Sequence, residues 1–65
     1  MKRRYLLRHL EANGCYFVRE GGSHSIYANI KNGRQTSIPR HPEIKNATAK
    51  AICKELGIPF VNGKK

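Results

Sequence analysis

Sixty-five residues, read as one domain over 1–65, bury only about 60% of the surface their unfolded chain exposes. So small a core excludes a deep pocket, a bound nucleotide cofactor and a second domain, which leaves a shallow surface site suited to a large substrate. Thirteen Lys or Arg stand against four Glu and no Asp, a net charge of +9 and a pI near 10.2. The self-repulsion points to a polyanionic partner, nucleic acid ahead of an acidic protein or a membrane surface.

The first predicted element is a helix over 2–13. Leu6, Leu7 and Leu10 recur on one face, with Lys2, Arg4, Arg8 and Glu11 mainly on the other. Asn13-Gly14 supplies a left-handed stop. Two roles suit Arg4 and Arg8: a solvated face and phosphate contact. His9, in the same helix, reads as a surface residue.

A strand over 15–20 follows, rich in aromatic and β-branched residues. Gly21-Gly22 joins it to a second strand over 23–31. There the even positions His24, Ile26, Ala28 and Ile30 form the apolar set. The even face is therefore expected to meet the core, and Tyr27 to face away from it. Lys31-Asn32-Gly33 is a hairpin signal leading to a third strand over 34–39, with Thr36 and Ile38 on one face.

A strict Asn32-Gly33 loop would set Ile38 opposite Tyr27. A three-residue loop, Lys31 to Gly33, pairs Ile30 with Arg34, Ala28 with Thr36 and Ile26 with Ile38, and this is the expected register. At Gly21-Gly22 a two-residue loop is favoured over a three-residue one. It pairs Phe17 with Ile26, puts Phe17 in the core and sets Arg19 beside His24.

Residues 40–45 form a connection, and a second helix over 46–56 presents Ala49, Ile52, Cys53 and Leu56 inward. Asn46 or Thr48 suits its N-cap, and Gly57 with Pro59 stops it. Lys50 and Lys54 share its outer face. Residues 58–61 suit a short extended tail and 62–65 a frayed one. Cys15 and Cys53 lie in apolar settings and are expected buried and reduced, a disulfide between them being the lesser alternative. Neither pairs with a histidine at zinc-ligand spacing, so no metal is expected. No signal peptide is legible, and no run nears the ~20 apolar residues of a membrane span, so a cytoplasmic protein with no membrane partner is expected.

The order helix, three-strand meander, helix predicts an α+β fold, α-β-β-β-α. Both helices pack on the single apolar face of a three-stranded antiparallel sheet. This is the topology of the double-stranded-RNA-binding domain.

Over about residues 2–58 the chain resembles the HicA toxins of bacterial HicA–HicB toxin–antitoxin pairs. The matching residues begin with Lys2-Arg3-Arg4, Leu6-Leu7, Asn13-Gly14 and Phe17-Val18-Arg19. They continue with Gly22-Ser23-His24, Ile26-Tyr27 and Ile38-Pro39-Arg40-His41, then Thr48, Ile52, Leu56, Gly57 and Ile58. Many members carry a second histidine directly after the Gly-Ser-His triplet, where this chain has Ser25. The resemblance implies an mRNA interferase: a ribosome-independent endoribonuclease that cleaves mRNA and is inhibited by a HicB-type antitoxin. It aligns His24 with the family's catalytic histidine.

The residues carry a chemical argument of their own. Imidazole is the side chain best able to take or give a proton near neutral pH. RNA brings its own nucleophile, the ribose 2′-hydroxyl, so cleavage requires a base but no metal or other cofactor. His24 suits that base, or the acid that protonates the leaving 5′-oxygen. Arg19, if beside His24, would stabilise charge on the phosphorane. Ser23 suits a hydrogen bond to the imidazole or to the turn backbone. Gly22 suits close approach to a phosphate, though the hairpin turn alone accounts for it. Candidate RNA contacts are Arg4, Arg8, Tyr27, Arg34, Arg40, His41, Lys50 and Lys54. His41 also suits a second acid or an ordinary loop residue. Three plainer readings compete: a structural histidine at a strand edge, a non-catalytic RNA-binding module, and a module whose basic face docks an acidic protein.

Overall fold

The computed structural model describes residues 1–60. Its elements in chain order are α1 (Arg3–Ala12), β1 (Cys15–Gly21), β2 (His24–Asn29), β3 (Gln35–Pro39) and α2 (Asn46–Leu56). The strands make one antiparallel sheet in the order β1-β2-β3, so β2 is central. Class and order are those expected, and each boundary lies within two residues of its expected place. Residues 61–65, which hold the tail expected to fray, lie outside the described residues.

The helical period places Leu6 and Leu10 of α1, and Ala49, Ile52, Cys53 and Leu56 of α2, inside. They close on Cys15, Tyr27 and Ile38 of the sheet and on Ile44 of the β3–α2 connection. Neither helix has a side-chain N-cap: Lys2 and Lys45 hold those positions, so Asn46 and Thr48 do not cap α2 as expected. At α1 the backbone substitutes. The Arg3 amide donates to the Pro42 carbonyl at 2.8 Å, and the Ile44 amide donates to the Met1 carbonyl at 2.8 Å. These bonds lay residues 1–3 along the β3–α2 connection.

The end of α2 follows from its glycine. Gly57 is left-handed, with φ +74°. The Gly57 and Ile58 amides donate to the Lys54 and Cys53 carbonyls at 3.1 and 3.0 Å, a Schellman closure. A Cβ on Gly57 would stand 2.7 Å from Asn32 Nδ2, which itself donates to the Leu56 carbonyl at 3.1 Å. Gly57→Ala is therefore expected to cost roughly 1–3 kcal/mol from the strained φ alone. In a domain of this size each kcal/mol lowers the melting temperature by about 4–8 °C, which thermal denaturation will read.

The core face of β2 is the opposite of the one expected. Tyr27 and Asn29 are buried at 6% and 2% exposure, and Ser25 is buried with them. His24 is exposed, and Ile30 lies past the strand end at 73% exposure. The reason is that both polar residues on the inner face find partners on the helices. Asn29 Nδ2 donates to the Leu56 carbonyl at 2.7 Å, and its Oδ1 accepts from the Lys31 amide at 2.9 Å. Ser25 Oγ accepts from Arg3 at 2.9 Å. Satisfied in this way they cost little to bury, and the Tyr27 ring supplies a large apolar area between them.

Both hairpins shift accordingly. The second loop has four residues, Ile30 to Gly33, closed by the Asn29 amide donating to the Arg34 carbonyl at 2.9 Å. Ala28 therefore pairs with Gln35, Ile26 with Ser37 and Ser25 with Ile38, instead of Ile26 with Ile38. The first loop has the expected length but consists of Gly22-Ser23, so that Gly21 ends β1 opposite His24. A β-bulge at Val18 absorbs the extra residue. Phe17 consequently pairs with Tyr27 instead of Ile26, and it does not enter the core as expected. It is 49% exposed, with the two rings edge to face at 5.9 Å.

Cys15 and Cys53 are free thiols in the core. Burial raises both above the ordinary thiol pKa, and the neighbouring Cys15 raises Cys53 further. At pH 8 the native protein is expected to resist a thiol reagent and to label at the rate at which it unfolds. Rapid labelling of the folded protein is the contrary outcome.

Candidate active site at the first hairpin

The site is built where the first turn meets the end of β3. Gly22, with φ +64°, gives the two-residue turn the positive φ it needs. His24 then opens the central strand, paired with Gly21 on one side and Pro39 on the other. Its side chain is exposed. Ser23 Oγ lies 3.3 Å from His24 Nδ1, and among the described residues no hydrogen bond engages Nε2. A shallow depression of about 170 Å³ is lined by Ser23, His24, Pro39, Arg40 and His41. A second, of about 280 Å³, runs from His24 between β3 and α2 past Thr48 and Glu55. His24 thus stands between two open recesses, at the end of the sheet's most constrained strand.

A network of four side chains and the Pro39 carbonyl fixes this corner from behind. Arg3 Nε donates to the Pro39 carbonyl at 2.8 Å, and Arg3 Nη2 donates to Ser25 Oγ at 2.9 Å. Ser25 Oγ donates in turn to the Glu20 carboxylate, 3.4 Å from each oxygen. Arg40 Nη1 donates to Glu20 Oε1 at 3.0 Å. One guanidinium therefore holds both the residue after His24 and the residue paired across from it. The Arg40–Glu20 pair is about half exposed on each side, so its net worth is about 0–1 kcal/mol.

Of the residues singled out from sequence, the structure brings together Gly22, Ser23, His24, Arg40 and His41. Arg19 is not directly beside His24. It pairs with Ile26, one step along the same sheet face, because the turn sits one residue later than expected. Tyr27, expected to face outward and offered as a base-stacking residue, is buried in the core instead. Arg4 and Arg8 are exposed on α1, with their guanidinium carbons 5.4 and 6.0 Å from the Tyr5 ring centre. Arg34 follows the β2–β3 turn, at the other end of β2 from His24. Lys50 and Lys54 are exposed on α2 and line neither recess. Among the described residues no three His, Cys, Asp or Glu side chains converge as a metal-ligand set.

Sequence reasoning missed Arg3 and Glu20 as parts of the site. Glu20 carried a signal, since it is one of only four acids and directly precedes the turn. Arg3 carried none, because its partners lie 22 and 36 residues away.

The features together define a small basic α-β-β-β-α domain with an exposed histidine at the mouth of a hairpin, set among arginines. A family model described as "HicA toxin of bacterial toxin-antitoxin" matches residues 3–58, and the chain belongs to that family. It is accordingly the toxin member of a toxin–antitoxin pair, and an antitoxin partner is implied. Comparison with curated proteins and with solved structures returned no match. No helix among the described residues is long and apolar enough to cross a membrane.

Proposed function

We propose that this toxin is a metal-independent endoribonuclease that cleaves mRNA in the cytoplasm without the ribosome. His24 is its catalytic residue, and a HicB-type antitoxin neutralises it by covering the His24 corner. The observation that carries the reading is His24 itself: exposed, with no hydrogen bond at Nε2 among the described residues, and sharing a recess with Arg40 and His41.

The chemistry is an internal displacement. The ribose 2′-oxygen forms a bond to phosphorus as the bond from phosphorus to the 5′-oxygen breaks. One imidazole takes the 2′-hydroxyl proton, and a second proton reaches the departing 5′-oxygen. His24 serves one of these transfers, and His41, which lines the same recess, serves the other. Arg40 exchanges Glu20 for the phosphate and meets the negative charge that builds on its free oxygens. Ser23, at Nδ1, orients the His24 ring. The products carry 2′,3′-cyclic phosphate and 5′-hydroxyl ends.

The test is a 5′-labelled single-stranded RNA incubated with the protein in EDTA. Cleavage to cyclic-phosphate ends is expected, abolished by a deoxyribose at the scissile position. Tight RNA binding without cleavage would replace this reading with that of a binding module. Equal cleavage of DNA would also sink it, since DNA lacks the internal nucleophile.

A further inference from the structure

We infer that the groove between the start of α1 and the β3–α2 connection is a phosphate subsite, which holds the RNA strand next to the scissile nucleotide. The inference rests on the ribonuclease reading above and extends it to a surface on the far side of Arg40 from His24.

The groove measures about 390 Å³ and is lined by Lys2, Arg3, Arg4 and Arg40, with Glu43 among its walls. Arg40 also lines the His24 recess, so the two adjoin at that side chain. A strand whose scissile phosphate lies at His24 and Arg40 continues past Arg40 into the groove that Lys2 and Arg4 line. The charge in the groove is only partly offset within the protein. Lys2, Arg3 and Arg4 follow one another at the positive end of the α1 dipole, whose first turn holds no acid. The dipole disfavours that placement unless an anion joins it.

The four cations differ in their commitments. Arg3 is held by Pro39 and Ser25 and acts as scaffold. Lys2 and Arg4 are exposed, and neither takes part in an ion pair among the described residues. Arg4 rests over the Tyr5 ring, which orients its guanidinium without neutralising it. Glu43 is the acid of the groove, and it is already engaged by the Met1 ammonium at 3.0 Å. That bond and charge, with a smaller contribution from the Lys2 charge, lower its carboxyl pKa. What faces solvent is thus two cations outside any ion pair among the described residues, Arg4 and a Lys2 whose charge also acts on Glu43, beside a third, Arg40, whose carboxylate partner is half exposed.

The test compares cleavage of a dinucleotide with that of a longer oligoribonucleotide by the full chain. The variants are Lys2→Ala, Arg4→Ala, the double variant, and Lys31→Ala, which removes equal charge in the β2–β3 turn at the opposite end of the sheet. For the longer RNA each groove variant is expected to lose roughly three- to tenfold in kcat/KM, the larger part of it in KM. The log–log salt slope of RNA binding should fall by about 0.7 for each side chain removed. The dinucleotide should lose several-fold less, and Lys31→Ala should fall short of both groove variants. Equal losses on short and long RNA, or an equal loss from Lys31→Ala, would overturn the subsite in favour of a general charge effect. A wild type that cleaves neither RNA overturns the ribonuclease reading, and the groove is then decided by the salt slope alone.

Discussion

Purified His24→Ala is expected to lose roughly 10²–10⁴-fold in cleavage rate, the contribution of one positioned acid or base. Its RNA affinity at matched salt should change little, because the phosphate-directed charges remain in place. Its fold should be intact as well. His24 is exposed, its hydrogen bond is to the neighbouring Ser23, and the backbone pairing with Gly21 and Pro39 does not depend on the side chain. Single-turnover cleavage, salt-titrated binding and thermal melting together separate the three quantities. A variant that keeps activity within tenfold of wild type would take from His24 the transfer assigned to it. His41, in the same recess, would be the first place to look.

What the sequence revealed about this site follows how local its determinants are. A two-residue, glycine-bearing turn before His24 was legible because such a turn is specified within a few residues, but it is Gly22-Ser23 rather than Gly21-Gly22, and His24 is exposed rather than on the core face. The limits of α2, Asn46–Leu56, were legible for the same reason, since Gly57 closes it by itself. The inner face of β2 was not legible. A count of apolar side chains favours Ile26, Ala28 and Ile30, but the face is decided by Asn29 and Ser25. Their partners, the Leu56 carbonyl and Arg3, are 27 and 22 residues distant. Once that face is fixed, the four-residue loop and the bulge at Val18 follow, and Arg19 moves one step from its expected place. The sequence therefore singles out the histidine as a candidate but not the side chains that surround it.

Those side chains supply the second large effect. Arg3→Ala removes two charge-assisted hydrogen bonds, to the Pro39 carbonyl and to Ser25 Oγ. It leaves the Pro39 carbonyl without that donor, and Ser25 facing Glu20 alone. The expected loss of stability is about 2–4 kcal/mol. A core of this size rarely supplies more than about 3–5 kcal/mol in all, so much of the variant should be unfolded at physiological temperature. Arg3→Lys isolates the positioning role. It keeps the charge, but an ammonium cannot reach two acceptors as a planar fork does. Arg3→Lys is expected to fold with a lowered melting point and to lose up to about 10²-fold in kcat, with a smaller change in KM, as misplacement of a reacting group predicts. Urea denaturation fixes the folded fraction for each variant, and cleavage rates are then compared per folded molecule. If Arg3→Lys keeps the wild-type kcat on that basis, Arg3 serves stability alone, and His24 is held in place by the strand pairing with Gly21 and Pro39 without help from α1.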